Sequence, residues 1–235
     1  MELDKLVIEG EHLEGRKFHN GRWDHVAIGN SELVGCSFAG SHFVKSTALG
    51  FGVNATVYSH CDFDNTVWDN VYAGRAVFEY CSFENVRLEN MLFDDAEMVG
   101  CSFSGVLSGV TFSAEASVAG GKVDRPGNAY RGNDFSRVTF RDVNFRGGID
   151  LDLQRLPAHP HYILVRNAEG SIRRTVEVVR EWPDVERKAA RSFLGTFYAE
   201  AQRGQTDLYL DTTFLRSRLS EDRLSELIDS LLGGR

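Results

Sequence analysis

Residues 81–105 read CSFEN VRLEN MLFDD AEMVG CSFSG, five blocks of five with Phe83, Leu88, Phe93, Met98 and Phe103 at their middles. Upstream, every fifth residue stays apolar back to Leu3, through Ile8, Leu13, Phe18, Trp23, Ile28, Leu33, Phe38, Phe43, Ala48, Val53, Tyr58, Phe63, Trp68, Ala73 and Phe78. In a chain that is 42% hydrophobic, so long an unbroken run has odds on the order of one in a hundred million. A helix repeats its apolar face every 3.6 residues and a strand every two, so a period of five needs a chain that bends once per block. That is a repeat architecture, and it excludes most enzyme folds for this half of the chain.

The bends are visible two places after the middles, at Gly10, Gly15, Asn20, Asn30, Gly35, Gly40, Gly50, Asn65, Asn70, Asn85, Asn90, Asp95, Gly100 and Gly105. These types tolerate positive φ or bond back to their own backbone. Two places before the middles stand slim residues, among them Val26, Ser31, Cys36, Ser41, Cys61, Thr66, Cys81, Val86 and Cys101. Alternation along an extended side points these inward beside the large central residue.

On these blocks, clearest in Cys81-Ser-Phe83-Glu-Asn85, Val86-Arg-Leu88-Glu-Asn90 and Cys101-Ser-Phe103-Ser-Gly105, the chain resembles the pentapeptide-repeat family. The resemblance covers roughly residues 1–112 and resumes at Tyr130, Phe135, Phe140 and Phe145. It implies a mainly β fold, a right-handed quadrilateral β-helix with about four blocks, or about 20 residues, to a coil. On that geometry residues 20 apart stack about 4.8 Å from one another. The expected aromatic stacks are Trp23, Phe43, Phe63, Phe83, Phe103 and Phe18, Phe38, Tyr58, Phe78, with bulky Trp68 relieved by Ala48 and Ala73.

All four cysteines share one inward phase, and Cys61, Cys81 and Cys101 fall in successive coils. They read as small apolar filler, because no CxxC or CxxH spacing accompanies them. Unpaired thiols and the lack of a leader-like segment point to the cytoplasm. The seven histidines do not stack, and His159 and His161 flank Pro160 in a connecting segment. No phosphate-binding loop, dinucleotide fingerprint, nucleophile elbow or zinc-protease motif is present. No catalytic residue, metal or cofactor is expected; a pocket holding His159, His161 or Arg166 is the one refuge for an enzyme.

The formal charge is −8. Between residues 54 and 104 stand Asp62, Asp64, Asp69, Glu79, Glu84, Glu89, Asp94, Asp95 and Glu97 against only Arg75 and Arg87. Such a rod repels nucleic acid and attracts basic protein surfaces; no membrane association is expected. Asp24, Asp62, Asp64, Asp69, Glu84, Glu89 and Asp94 are the candidate partner-binding residues, with Asp24 expected on the side of Asp62, Asp64 and Glu84. Val7, Leu49, Val57, Val67, Tyr72, Val77 and Leu92 fall at outward phases. Contiguous exposed apolar surface marks a partner, so Leu49, Val67, Tyr72 and Leu92 are expected to be covered by the C-terminal segment or by a second subunit in a homodimer.

After Phe103 the period slips by one residue through Leu107 to Phe112 and fails over 113–128, an expected loop. The composition changes past Gly148, giving an expected division into 1–150 and a helical capping or interaction domain at 151–235. There Tyr162 to Val165 reads as a short strand or an extended link. Ile172, Val176 and Val179 suit a helix starting near Ser171, a hairpin being the alternative; another helix is expected from Pro183 to Gln202, and Asp211 and Ser220 read as N-caps of two more.

The resemblance implies a function. Some members of the family mimic the shape and charge of DNA and bind DNA gyrase or topoisomerase IV, protecting the enzyme from quinolones or toxins. The helical C-terminal domain departs from that pattern, since gyrase-directed members spend nearly the whole chain on the β-helix. The alternative expectation is a scaffold or adaptor whose helices hold the partner site.

Overall fold

A computed structural model describes residues 4–44, 46–116 and 126–233. Two compact units divide them: Met1–Val143 with Asp152–Pro157, and Asn144–Leu151 with Ala158–Arg235.

The first unit is a β-helix of parallel strands whose sides follow the five-residue blocks. Its corners carry positive φ at Gly10, Gly15, Asn20, Asn30, Gly35, Gly40, Asn65, Asn70, Asn85, Asn90, Gly100 and Gly105, as the residue types require. Each coil has four inward central residues. The first side stacks Ile8, Ile28, Leu49, Ala73, Phe93 and Phe112; the second Leu13, Leu33, Tyr58, Phe78, Met98 and Tyr130. The third stacks Phe18, Phe38, Phe63, Phe83, Phe103 and Phe135; the fourth Trp23, Phe43, Trp68, Leu88, Leu107 and Phe140.

These columns correct the expected ones. Leu33 pairs with Tyr58, Ser37 with Asp62 and Phe43 with Trp68, all 25 residues apart, whereas Tyr58 and Phe78 are again 20 apart. One coil therefore holds an extra block of five between Phe43 and Tyr58. A count in fives passes through such an insertion unbroken, so Phe63 belongs above Phe38 and not above Phe43. The insertion also exchanges inward residues. Leu49 is fully buried in the place expected for Ala48, Val53 is 78% exposed, and the positive φ falls at Gly52 instead of Gly50.

The result is a column of parallel phenylalanines. Ring centroids are 4.8 Å apart for Phe18–Phe38, 5.1 Å for Phe38–Phe63, 5.0 Å for Phe63–Phe83, 4.7 Å for Phe83–Phe103 and 4.6 Å for Phe103–Phe135. The strand spacing of the sheet sets this distance, which suits stacked rings.

Correcting the coil also brings Cys36 below Cys61, so all four cysteines line one slot. Each thiol donates to a second-side carbonyl of the coil below: Cys36 to Leu13 at 3.5 Å, Cys61 to Leu33 at 3.3 Å, Cys81 to Tyr58 at 3.2 Å and Cys101 to Phe78 at 3.4 Å. Asn133 and Gln154 continue the series, donating to Met98 and Tyr130 oxygens at 2.9 and 2.8 Å. Burial pushes the Cys81 thiol well up, and the neighbouring thiols add to it. All four cysteines are free and buried.

The slip after Phe103 is seen as a shift in pairing, Phe83 with Phe103 but Leu88 with Leu107. Met98 pairs with Tyr130, 32 residues on, so the coil is interrupted where the loop was expected; residues 117–125 of it lie outside the described ones. Asn128 closes its base, donating to the carbonyls of Asp94 at 2.6 Å and Ser113 at 2.8 Å. At both insertions a second-side tyrosine satisfies a first-side carbonyl: Tyr58 donates to Leu49 and Tyr130 to Phe93, at 2.8 and 2.9 Å.

In the second unit, strands Tyr162–Val165 and Leu208–Asp211 pair antiparallel. Helices α1, Ala168–Val179, and α2, Asp184–Gln202, lie between these strands in the chain, and α3, Thr213–Arg216, and α4, Glu221–Leu231, follow the second. Helix α1 starts three residues before Ser171, and the second strand was not foreseen. Ile172, Val179, Trp182, Phe193, Leu194, Leu224, Leu227 and Leu231 share its core. Asp211 accepts from the Thr213 amide at the start of α3. Ser220 precedes α4, but its amide and hydroxyl donate to Glu186 of α2, which holds the Glu186 carboxyl below the usual range.

Candidate interaction surface

The third side carries the Phe18–Phe135 column inward, so its flanking residues project outward on either side of each ring. Before the rings stand Ser37, Asp62, Ser82 and Ser102; after them stand Asp64, Glu84 and Ser104. These groups are bonded along the coil axis. Ser37 donates to Asp62 at 2.8 Å, Ser82 to Asp64 at 2.5 Å and Ser104 to Glu84 at 2.6 Å. Asp64 also accepts the Glu84 amide at 2.7 Å. The acids thus form a ladder with hydroxyls as rungs, which fixes where each negative charge sits.

Arg137 pairs with Glu84. Among the described residues Asp62 and Asp64 have no cationic partner. On the adjoining fourth side, Asp69 pairs in register with Glu89, which Arg87 meets at 3.3 Å. Asp69 itself accepts from Asn90 at 3.1 Å.

The seven candidate acids therefore do not share one face. Asp62, Asp64 and Glu84 come together on the third side, and Asp69 and Glu89 on the fourth. Asp24 lies on the strand Trp23–Gly29, and its side chain falls outside the described ones. Asp94 flanks Phe93 on the first side. Burial pushes its carboxyl up, and the charge of neighbouring Asp95 adds to this.

The expected outward apolar residues also divide. Tyr72 and Leu92 are 52% and 54% exposed, and Val67 is half-buried. Leu49 faces inward and Val77 is buried, so neither offers outward surface. One corner feature was missed. His60 and Tyr80 take positive φ where Gly or Asn is usual, their rings stack at 5.3 Å, and the Tyr80 ring lies over Gly100. Their side-chain types gave no signal for it.

In the second unit, the His161 amide donates to His159 Nδ1 at 3.2 Å, and the His159 ring packs edge-on against the rings of His161 and Tyr162. No group of three or more His, Cys, Asp or Glu suited to a metal occurs among the described residues. Helices α1 and α2 border a groove of about 530 Å³ floored by Ile172, Val176 and Leu194, with Tyr198, Arg191 and Gly195 at its rim.

Residues 74–113 match the family described as pentapeptide repeats, in eight copies. That stretch of the chain is built of pentapeptide repeats. The β-helix is the fold that the resemblance implies, and the small helical C-terminal part is the one expected from the change in composition past Gly148. Among curated proteins no match is found. Among solved structures, one trypsin-treated form of QnrB1, a plasmid-mediated fluoroquinolone resistance protein, aligns over 65% of this chain and 79% of its own. The identity is 16% and the TM-score 0.37. A second trypsin-treated form gives 65% and 87% coverage, 16% identity and a TM-score of 0.25. Full-length QnrB1 gives 66%, 92%, 16% and 0.13. Superpositions this loose carry no argument about what a pentapeptide-repeat chain binds. No helix among the described residues is long and apolar enough to cross a membrane.

Proposed function

We propose that this protein is a non-catalytic interaction module whose acidic β-helix docks a basic protein surface, a type II topoisomerase being the favoured partner. The observation that carries this reading is the ladder of Asp62, Asp64 and Glu84, with Asp69 and Glu89 round the corner. Charges at fixed height on a rigid rod present a repeating negative pattern, as a nucleic-acid backbone does, and a cleft built for phosphates attracts it. The partner's identity rests on the family resemblance, and the mode of binding rests on the charge.

The ladder also dictates the test. Lysine at Asp64 would break the bonds from Ser82 and the Glu84 amide, so loss of binding could reflect local unfolding. Asp62→Asn, Asp64→Asn and Glu84→Gln keep an acceptor oxygen and remove the charge. Purified protein is expected to inhibit DNA gyrase supercoiling or to protect the enzyme from a quinolone. The triple variant is expected to lose at least about tenfold in apparent affinity with unchanged far-ultraviolet dichroism. Failure of the unmodified chain to bind gyrase or topoisomerase IV at micromolar concentration rejects the partner. Full retention by the triple variant rejects the ladder.

The groove between α1 and α2 favours a second reading, an adaptor whose helical unit holds the partner. Gly195 sits mid-helix at its rim with open space beyond it, a position where glycine costs helix stability without a packing return.

A further inference from the structure

The corner between the second and third sides of the β-helix takes the left-handed conformation at each described level. From bottom to top it reads Gly15, Gly35, His60, Tyr80, Gly100 and Gly132, with φ of 58°, 58°, 52°, 53°, 66° and 68°. Hydrogen bonds hold it as a column: Gly35 donates its amide to Ser59, His60 to Glu79 and Tyr80 to Val99. Glycine occupies every level but the middle two, and both of those are aromatic. A bulky ring is strained at such φ, Tyr80 more than His60. Strain kept at two adjacent levels of one corner points to a use for the rings rather than for the turn.

The two rings make the roof of an open step. They are nearly parallel, 14° apart in plane, and Tyr80 is 59% exposed. Tyr80 lies over Gly100, whereas nothing stands within 4 Å of where a side chain would begin at Gly35. The stack therefore ends at His60 with open space below it, about 4.8 Å to the coil step and so the height of one more planar group. Two carboxylates border this space. Asp62 follows His60 by two residues and accepts from Ser37 at 2.8 Å. Because Ser37 follows Gly35 by two, that bond draws the carboxylate toward the empty level. Glu79 adjoins Tyr80, and neither acid has a cationic partner among the described residues.

We propose that this step receives an arginine side chain of the basic partner, its guanidinium lying flat under the His60 ring and paired with Asp62. The inference rests on the reading that the acidic β-helix docks a basic protein surface. Planar groups that stack on rings are aromatic side chains, nucleobases and guanidinium, and charge chooses among them. A nucleobase brings phosphate to a place bordered by two acids. An aromatic side chain leaves both acids unused. A guanidinium satisfies the ring and a carboxylate together, and a lysine has no plane to stack. The acid ladder thus attracts any cation, and the corner selects arginine.

Nona-arginine and nona-lysine peptides separate these two roles. At about pH 8, where an unperturbed imidazole is neutral, the full chain is expected to bind the arginine peptide at least about threefold more tightly. The double variant His60→Asn, Tyr80→Asn is expected to bind both alike, with the lysine peptide within about twofold of its original affinity. Asn65 and Asn85 already take this φ, so the urea midpoint of the variant is expected to stay level or rise. Gly35→Asn, which fills the step and leaves both rings, is expected to abolish the preference as well. Equal binding of the two peptides by the unmodified chain, or a preference that survives in both variants, overturns the arginine site and leaves the acid ladder standing. If the double variant falls in urea midpoint, the rings serve packing and Gly35→Asn decides: a preference that survives it overturns the site. Binding of neither peptide overturns the ladder and the site together.

Discussion

A residue in this β-helix is defined by the carbonyl it reaches in the coil below. The slot of Cys36, Cys61, Cys81, Cys101, Asn133 and Gln154 uses thiols and amides for the same task, donation to a second-side oxygen. A cysteine there is both slim and a weak donor, and the sequence shows only the slimness. Outside the core, His12 Nε2 lies 3.1 Å from Glu14 and Nδ1 3.0 Å from Glu32, one coil up. The hydrogen bond to Glu14, then that to Glu32, raises its pKa above the usual histidine value. Because the folded value is the higher one, the stabilisation is fully present below the ordinary histidine pKa and is lost as pH rises through the folded value. An NMR titration of the His12 ring is expected to show this upward shift, and Glu14→Gln with Glu32→Gln to return it to the ordinary range.

At the level of strands and columns, cohesion comes from like residues repeated at the strand spacing. Phe63 is fully buried between Phe38 and Phe83, so Phe63→Ala is expected to cost about 3–5 kcal/mol in urea unfolding. Phe18, half-buried and stacked on Phe38 alone within its column, should cost distinctly less on the same change, since each coil of a solenoid leans only on its neighbours. An equal loss at both positions would contradict that account. The expected stacks went wrong above Phe43 because a repeat of five has the same phase before and after an extra five. Only the hydrogen-bonded partners, Leu33 with Tyr58 and Phe43 with Trp68, reveal the wider coil.

Taken as a chain of two units, the protein offers two candidate surfaces of different chemistry, the acid ladder and the groove between α1 and α2. Gly195→Trp fills the groove in the intact chain, where a side chain at Gly195 meets open space. If the ladder is the docking site, the substitution is expected to leave partner binding within about twofold, whereas the adaptor reading requires its loss. A pull-down by the full chain, run in parallel with the triple variant Asp62→Asn, Asp64→Asn and Glu84→Gln, separates the two. The helical unit was legible as amphipathic segments with their stops. Its second strand, Leu208–Asp211, was not, because four residues carry too little periodicity to tell a strand from a link.

The fivefold spacing was enough to specify a solenoid, most of its inward residues and most of its corners, because these depend on positions a few residues apart and on the φ each side chain tolerates. It was also enough to mark residues 113–128 and the chain past Gly148 as different in kind. Which acids stand together, which cysteines share a slot and which apolar residues face out depended on how many residues each coil contains. That number is fixed by hydrogen bonds between distant segments, and an inserted block of five leaves no trace of itself in the pattern.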